Sequence, residues 1–263
     1  MSQIRVLVNG AAGRMGREVV RAVSGEGDMT VAAAVDRRRV GEDAGRVSGI
    51  DPLSVLITDS LSDAIAEASP EAVVEFTLPD AAMGNIRTAV KARVPCIVGT
   101  SGLTEQDLQE LSGLCEEYRT PSLVAPNFAI GAVLMMQFAA QAAKHFDSAE
   151  IIELHHADKA DAPSGTAIRT AQLMANLPGS RFAGAESSDG RFARGHAHGP
   201  IHIHSVRLSG LVAHQEVIFG GPGQTLTIRH DSVSWQSFIP GVLLAVRKVR
   251  GLRGLVVGLE RIL

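Results

Sequence analysis

Apolar residues in the first half of the chain fall into short, nearly continuous runs. They are "IRVLVNG" (4–10), "TVAAAVD" (30–36), "SVLITD" (54–59), "AVVEFT" (72–77), "PCIVGT" (95–100) and "PSLVAP" (121–126). Between them lie segments of helical spacing, such as "GRMGREVVRAV" (13–23) and "TEQDLQELSGLCEEY" (104–118). Strands with little polar alternation are covered on both faces, and strands that alternate with helices pair in parallel. The pattern predicts an α/β domain built on a doubly wound parallel sheet, with ligands at the carboxyl ends of the strands.

After about residue 126 the period changes. "GAVLMMQFAAQAAKHF" (131–146) predicts an apolar helix, "AEIIELHH" (149–156) a strand, and a further helix begins near Ser164. Residues 178–199 are rich in Gly, Ser and Arg without a period and read as a flexible loop running into a strand. "IHIHSVRLSG", "HQEVIFGG" and "QTLTIRHD" then read as three strands joined by glycine-rich turns, as in an antiparallel sheet. An apolar helix over 237–249, with Pro240 inside it, and a last strand close the chain. The expected division is 1–126, rejoined by 235–263, and a second α+β domain over 127–234 with a mixed or antiparallel sheet. Closure between the two is expected to hinge near Asn127 and Ser234.

Composition narrows the function. Hydrophobic residues make up 45% of the 263 and charged residues 20%, and the net charge is −3. Such a balance gives no reason to expect a nucleic-acid or membrane-surface partner. No apolar run approaches the ~18 residues of a membrane span. With a strand predicted from almost the first residue, no signal peptide is expected. Two cysteines, Cys96 and Cys115, form no disulfide framework, so a cytoplasmic setting is expected, with Cys96 a core thiol.

"VLVNGAAGRMGREVV" sets Gly10, Gly13 and Gly16 between a strand and a helix. Glycines at that turn let backbone N–H groups approach a pyrophosphate, which the helix dipole also favours. The next strand ends in Asp36, 20 residues beyond Gly16, where an acid reads a ribose. A Rossmann-type site for NADH or NADPH is the result. Asp36 favours the free 2′-hydroxyl and Arg37 a 2′-phosphate, so weak discrimination is expected. "GTSG" (99–102) and "APNF" (125–128) follow later strands at the same end.

The second cluster is "ELHHADKADAPSGTA", residues 153–167. Strand alternation puts Glu153 and His155 on one face and His156 on the other, so both imidazoles share a cleft only if the strand ends there. Lys159 follows in the loop. Pro163 and Ser164 suit a helix entrance, where the amides of Gly165 and Thr166 make a socket for a carboxylate. Imidazole is an acid at working pH and Lys a fixed cation, which suits a dianionic substrate protonated as it accepts hydride.

Taken in order, "NGAAGRMG", "FTLPDA", "VGTSG", "APNF" and "HHADKADAPSGTA" resemble the 4-hydroxy-tetrahydrodipicolinate (dihydrodipicolinate) reductases of lysine and diaminopimelate synthesis. The resemblance runs on through "VRLSGLVAHQEVIFGGPGQTLTIRHDS". It implies a homotetramer, assembled through the sheets of the second domain, that reduces a cyclic imine dicarboxylate with NADH or NADPH. It further implies His155 as proton donor with Lys159 beside it, and His156, Gly165 and Thr166 as substrate contacts. Implied cofactor contacts are Gly10, Ala11, Ala12, Gly13, Arg14, Met15, Asp36, Gly99, Thr100, Ser101, Ala125, Pro126, Asn127 and Phe128.

Other readings are weaker. His196, His198, His202 and His204 could suggest zinc, but no cysteine or carboxylate is interleaved, so no metal is expected. Trp235 is assigned to packing. A nicotinamide redox sensor without turnover would use the same glycine loop, yet gives no reason for His155, Lys159 and Gly165 to coincide. A reductase of a related semialdehyde or keto acid would differ only in what the socket holds.

Overall fold

The computed structural model describes residues 3–100, 102–176, 182 and 194–263. Strands and helices first alternate: β1 (Ile4–Asn9), α1 (Arg14–Gly25), β2 (Met29–Val35), α2 (Ala44–Ser48), β3 (Ile57–Thr58) and α3 (Leu61–Ala68). The series continues with β4 (Ala72–Glu75), α4 (Pro79–Lys91), β5 (Cys96–Val98), α5 (Glu105–Glu117) and β6 (Ser122–Val124). Then come α6 (Ile130–Ala142), β7 (Ser148–His155), α7 (Gly165–Ala175), β8 (His196–His198), β9 (Ile201–Arg207), β10 (Ala213–Gly221) and β11 (Gln224–Ser232). The chain ends with α8 (Ile239–Val249) and β12 (Leu255–Val257).

Two compact units result, residues 1–128 with 238–263, and 129–237. The first holds a seven-stranded sheet in the order β12-β6-β5-β4-β1-β2-β3, every neighbouring pair parallel. Leu7, Val73 and Val98 are fully buried with Leu61, Ile86 and Leu111 from α3, α4 and α5 on one face, while α1 and α8 pack together. Cys96 lies in this core, and burial pushes its thiol well up, as suits a packing residue.

β4 places a carboxylate in that core. Glu75 has no exposed surface, accepts from Asn9 Nδ2 at 2.6 Å and the Thr77 amide at 2.8 Å, and meets no cation in these contacts. Burial pushes its pKa up, and the hydrogen bonds from Thr77 and Asn9 offset only part of that. With a folded value above the ordinary 4.5, the stabilising contribution is present below the unfolded value and lost as pH rises through the folded one. Glu75→Gln is therefore expected to gain in melting temperature over the parent as pH goes from roughly 5 to roughly 8. A difference between the two melts that stays constant over that range would contradict the sign.

The second unit carries a five-stranded sheet, β11-β10-β7-β9-β8. The three strands predicted after residue 200 all form, and β10 pairs with β11, but β9 is not the neighbour of β10. β7 lies between β9 and β10, parallel to β9 and antiparallel to β10. The crossover through α7 is long enough to return the chain in parallel, whereas the short glycine turn after β10 enforces an antiparallel pair with β11. Residues 196–198, read as loop, form β8 against β9, and the rest of that loop, 178–181 and 183–193, lies outside the described residues. Pro240 sits in the first turn of α8 rather than inside it, where its missing N–H costs no helical bond; a 3₁₀ turn, Trp235–Phe238, precedes it.

Candidate active site

The strand order of the first unit reverses between β1 and β4, the place where such sheets receive nucleotides. β1 runs directly into the glycine turn. Gly10 adopts φ +85°, and a Cβ there would lie 2.7 Å from the Phe76 carbonyl oxygen. Gly16, in the first turn of α1, leaves room for the Gly10 carbonyl: a Cβ would lie 2.0 Å from that oxygen. The turn is thus folded back onto the helix start, and Gly13 caps α1 with no side chain in the way. A phosphate can approach such a helix start closely, since Ala11, Ala12 and Gly13 present almost no side-chain bulk. Arg14 and Met15 begin the helix, Arg14 exposed and Met15 half-buried.

Asp36 follows β2, and its side chain is only 9% exposed. Its Oδ2 accepts from the Ala12 amide at 3.0 Å and its Oδ1 from the Arg38 amide at 2.9 Å, so the acid is fixed against the glycine turn. The guanidinium beside it belongs to Arg38, with Nε 3.6 Å from Oδ1, while Arg37 is exposed. In the run "DRRR" the residue two beyond the acid takes this place, an outcome set by the bend of the chain after β2.

The loops after β5 and β6 lie at the same sheet end. Thr100 donates to the Thr77 carbonyl at 3.0 Å, and the Ala125 amide to Val98 at 3.0 Å. Phe128 is buried, Asn127 half-buried and Pro126 exposed. Ser101 lies outside the described residues. Phe76, not singled out in the sequence, joins these loops. Its ring is 5.8 Å from that of Phe128, it fills the space that a Cβ on Gly99 would enter, and its carbonyl lies under Gly10. The available signal was an aromatic residue at the point where the run "AVVE" leaves the sheet.

In the second unit β7 alternates as expected, with Ala149, Ile151 and Glu153 turned inward. Glu153 is therefore a carboxylate with no exposed surface. His155, two residues on, shares its face, and its Nδ1 lies 2.5 Å from Glu153 Oε2. Arg207, at the end of β9 and in register with His155, donates from Nη1 to Oε2 at 2.9 Å and from Nη2 to Oε1 at 2.8 Å. The Ser164 amide donates to Oε1 at 3.2 Å. Burial alone would push the Glu153 carboxyl up, but hydrogen bonds from His155, Arg207 and Ser205 outweigh it and bring the value down to about 2.

The strand stops at His155, and the chain turns at once. His156 lies just outside β7, with its ring 6.1 Å from Trp235 in an edge contact, so Trp235 packs against it. Lys159 is ion-paired with Asp161 (Nζ to Oδ1 2.7 Å), and the Asp161 carbonyl accepts from Arg207 at 2.6 Å. Ser164 caps α7 by accepting from the Ala167 amide at 3.2 Å, and the space over Gly165 is open. Thr166 follows in the first turn of α7. Glu153, Arg207 and Asp161 were not singled out in the sequence; a carboxylate at an inward position of an apolar strand was the one signal on offer. Among the described residues no cluster of His, Cys, Asp and Glu is arranged to hold a metal, and no helix is long and apolar enough to cross a membrane.

Residues 4–128 match the family model for the dihydrodipicolinate reductase N-terminus, and residues 131–263 the model for its C-terminus. The chain belongs to the dihydrodipicolinate reductase family. A 4-hydroxy-tetrahydrodipicolinate reductase from Moorella thermoacetica is 52% identical over 266 residues, covering 100% of this chain and 99% of that one. One from Gloeothece citriformis is 49% identical over 272 residues, covering 100% and 98%. The solved structure of a dipicolinate-bound dihydrodipicolinate reductase from Paenisporosarcina sp. TG-14 superposes with a TM-score of 0.85 at 42% identity, covering 99% of this chain and all of that one. An amine dehydrogenase from Mycobacterium smegmatis, TM-score 0.69 at 14% identity over 97% and 95% of the two chains, shares the fold alone.

Proposed function

We propose that the chain reduces 4-hydroxy-tetrahydrodipicolinate to tetrahydrodipicolinate in lysine and diaminopimelate synthesis. The observation that carries this reading is the His155 imidazole held on a buried carboxylate beside the capped start of α7. A sensor without turnover needs no such acid. NADH or NADPH supplies the hydride when bound, and the glycine turn with Asp36 suits its diphosphate and ribose. The C4 hydroxyl leaves as water together with a C5 proton, which gives a C4=C5 bond conjugated with the ring imine. Hydride then adds at ring carbon 4, and His155 relieves the resulting enamine-type charge by delivering a proton to carbon 5. The amides of Gly165 and Thr166 hold one carboxylate, and Lys159 and His156 offset the remaining negative charge. Gly99, Thr100, Ser101, Ala125, Pro126, Asn127 and Phe128 complete the cofactor contacts. The second unit holds the substrate and builds a homotetramer, and the enzyme works in the cytoplasm.

Loss of absorbance at 340 nm on adding substrate to enzyme and NADH or NADPH tests the reading; no loss with either cofactor would remove it. Cofactor choice is a separate expectation. Asp36 and Arg37 together favour neither form strongly, so dissociation constants for NADH and NADPH should agree within about a hundredfold. Asp36→Ala should weaken NADH by roughly tenfold to a hundredfold, the worth of hydrogen bonds to a charged group, and leave NADPH as tight or tighter. Fluorescence titration of both cofactors checks it, and equal weakening of the two would contradict the role of Asp36.

A further inference from the structure

The described residues include two glutamates with no exposed surface, and their surroundings differ in one respect. Glu75 accepts only from neutral groups, Asn9 and Thr77. Glu153 accepts from a guanidinium in bidentate fashion and from an imidazole, and its Oε1 also takes the amide that opens α7. A buried charge is tolerated when it is paired and fully hydrogen-bonded, and removing one partner is then strongly felt. The network reaches further. Arg207 also holds the Asp161 carbonyl, and the Asp161 carboxylate holds Lys159. Lys159, Asp161 and Ser164 of the loop–helix segment are thus tied, directly or through Arg207, to one carboxylate on β7.

Resting on the reductase reading above, we propose that Glu153 and Arg207 are a positioning pair that fixes the proton-carrying nitrogen of His155 and balances the charge beside it. The geometry gives the two parts distinct work. Glu153 is acceptor-only when ionised, so Nδ1 of His155 carries the hydrogen it accepts, and Nε2 is the nitrogen that exchanges its proton with substrate. Arg207 cancels the carboxylate charge from the other side, so His155 faces a neutral pair.

The groups facing His155 are few. β9 contributes Arg207, β10 contributes Ala213 opposite His155 and Gln215 opposite Glu153, and the loop contributes Lys159 and Asp161 as an ion pair. His214 falls on the other face of the sheet, opposite Leu154, with Asp231 as its partner.

The test is the pH profile of kcat for E153Q and R207Q, with cofactor dissociation constants and melting temperatures measured alongside. Activity needs protonated His155 and falls on the alkaline side. E153Q removes a negative charge and leaves Arg207, so the alkaline limb should move to lower pH by about one to three units. R207Q leaves the carboxylate unbalanced, so the limb should move upward. Cofactor affinity should stay within about threefold for both, since the glycine turn and Asp36 are untouched. A purely structural pair would lower stability and kcat at every pH without moving the limb, and that result in E153Q overturns the proposal. Should both variants fail to fold, the imidazole nitrogens of the parent decide: in 15N-histidine spectra, hydrogen on Nδ1 of neutral His155 supports the pair and hydrogen on Nε2 overturns it. A parent that binds cofactor but never oxidises it removes the reductase reading instead, and the spectra still report on the pair.

Discussion

Replacing His155 by glutamine is expected to lower kcat by about a hundredfold to a thousandfold, the usual worth of one general acid. Glutamine fills much of the imidazole volume and can still hydrogen-bond Glu153, so the buried carboxylate keeps a partner and the fold should persist. What it cannot do is carry an exchangeable proton near neutral pH. The fixed charges that bind the dianion remain, so KM should change far less than kcat, the signature of a group that acts in the transition state rather than in binding. NADH and NADPH affinity should be unchanged within threefold, because the glycine turn and Asp36, proposed to hold the cofactor, belong to the other unit. Steady-state rates at 340 nm with both cofactors check all of this. A variant within about threefold of the parent rate would remove His155 as the acid.

The cluster around His155 was legible in the sequence because His155 sits in a contiguous run with Lys159 and Ser164. Its support was not. Arg207 is 52 positions beyond His155, and only the pairing of β7 with β9 brings them together. The sequence suggested β9, β10 and β11 as neighbours, since consecutive short strands with glycine turns usually pair; it carried no signal that β7 would enter between β9 and β10. Unit 1 was easier to read. In an alternating parallel sheet every loop of one kind falls at the same end, so Asp36, Gly99 and Ala125 could be placed together from strand ends alone. Even there, the pairing of Arg38 with Asp36 and the place of Phe76 went unseen. Both depend on the direction in which a side chain leaves a bend, which periodicity does not encode.

The glycine turn itself gives the second large effect. Alanine normally stabilises a helix over glycine by about 0.5–1 kcal/mol. At Gly113, exposed in α5, an added Cβ would meet nothing within 4 Å, so Gly113→Ala should raise stability by about that amount. At Gly16, also helical, the added atom would lie 2.0 Å from the Gly10 carbonyl oxygen and 2.7 Å from its carbon. Both are backbone atoms, and Gly10 is itself held by its amide on the Val35 carbonyl at 2.8 Å. No side-chain rotation can relieve the overlap, so α1 and the turn must part. Gly16→Ala should therefore cost about 1–3 kcal/mol or more and displace the backbone N–H groups offered to the cofactor diphosphate. NADH and NADPH should both weaken by about a hundredfold, since a helix-start contact to phosphate is common to the two. Melting curves and fluorescence titrations on Gly16→Ala and Gly113→Ala, made side by side, separate helix propensity from crowding. Both variants gaining stability would mean that the turn yields without cost, and the close approach of strand to helix would then not be what the glycine is for.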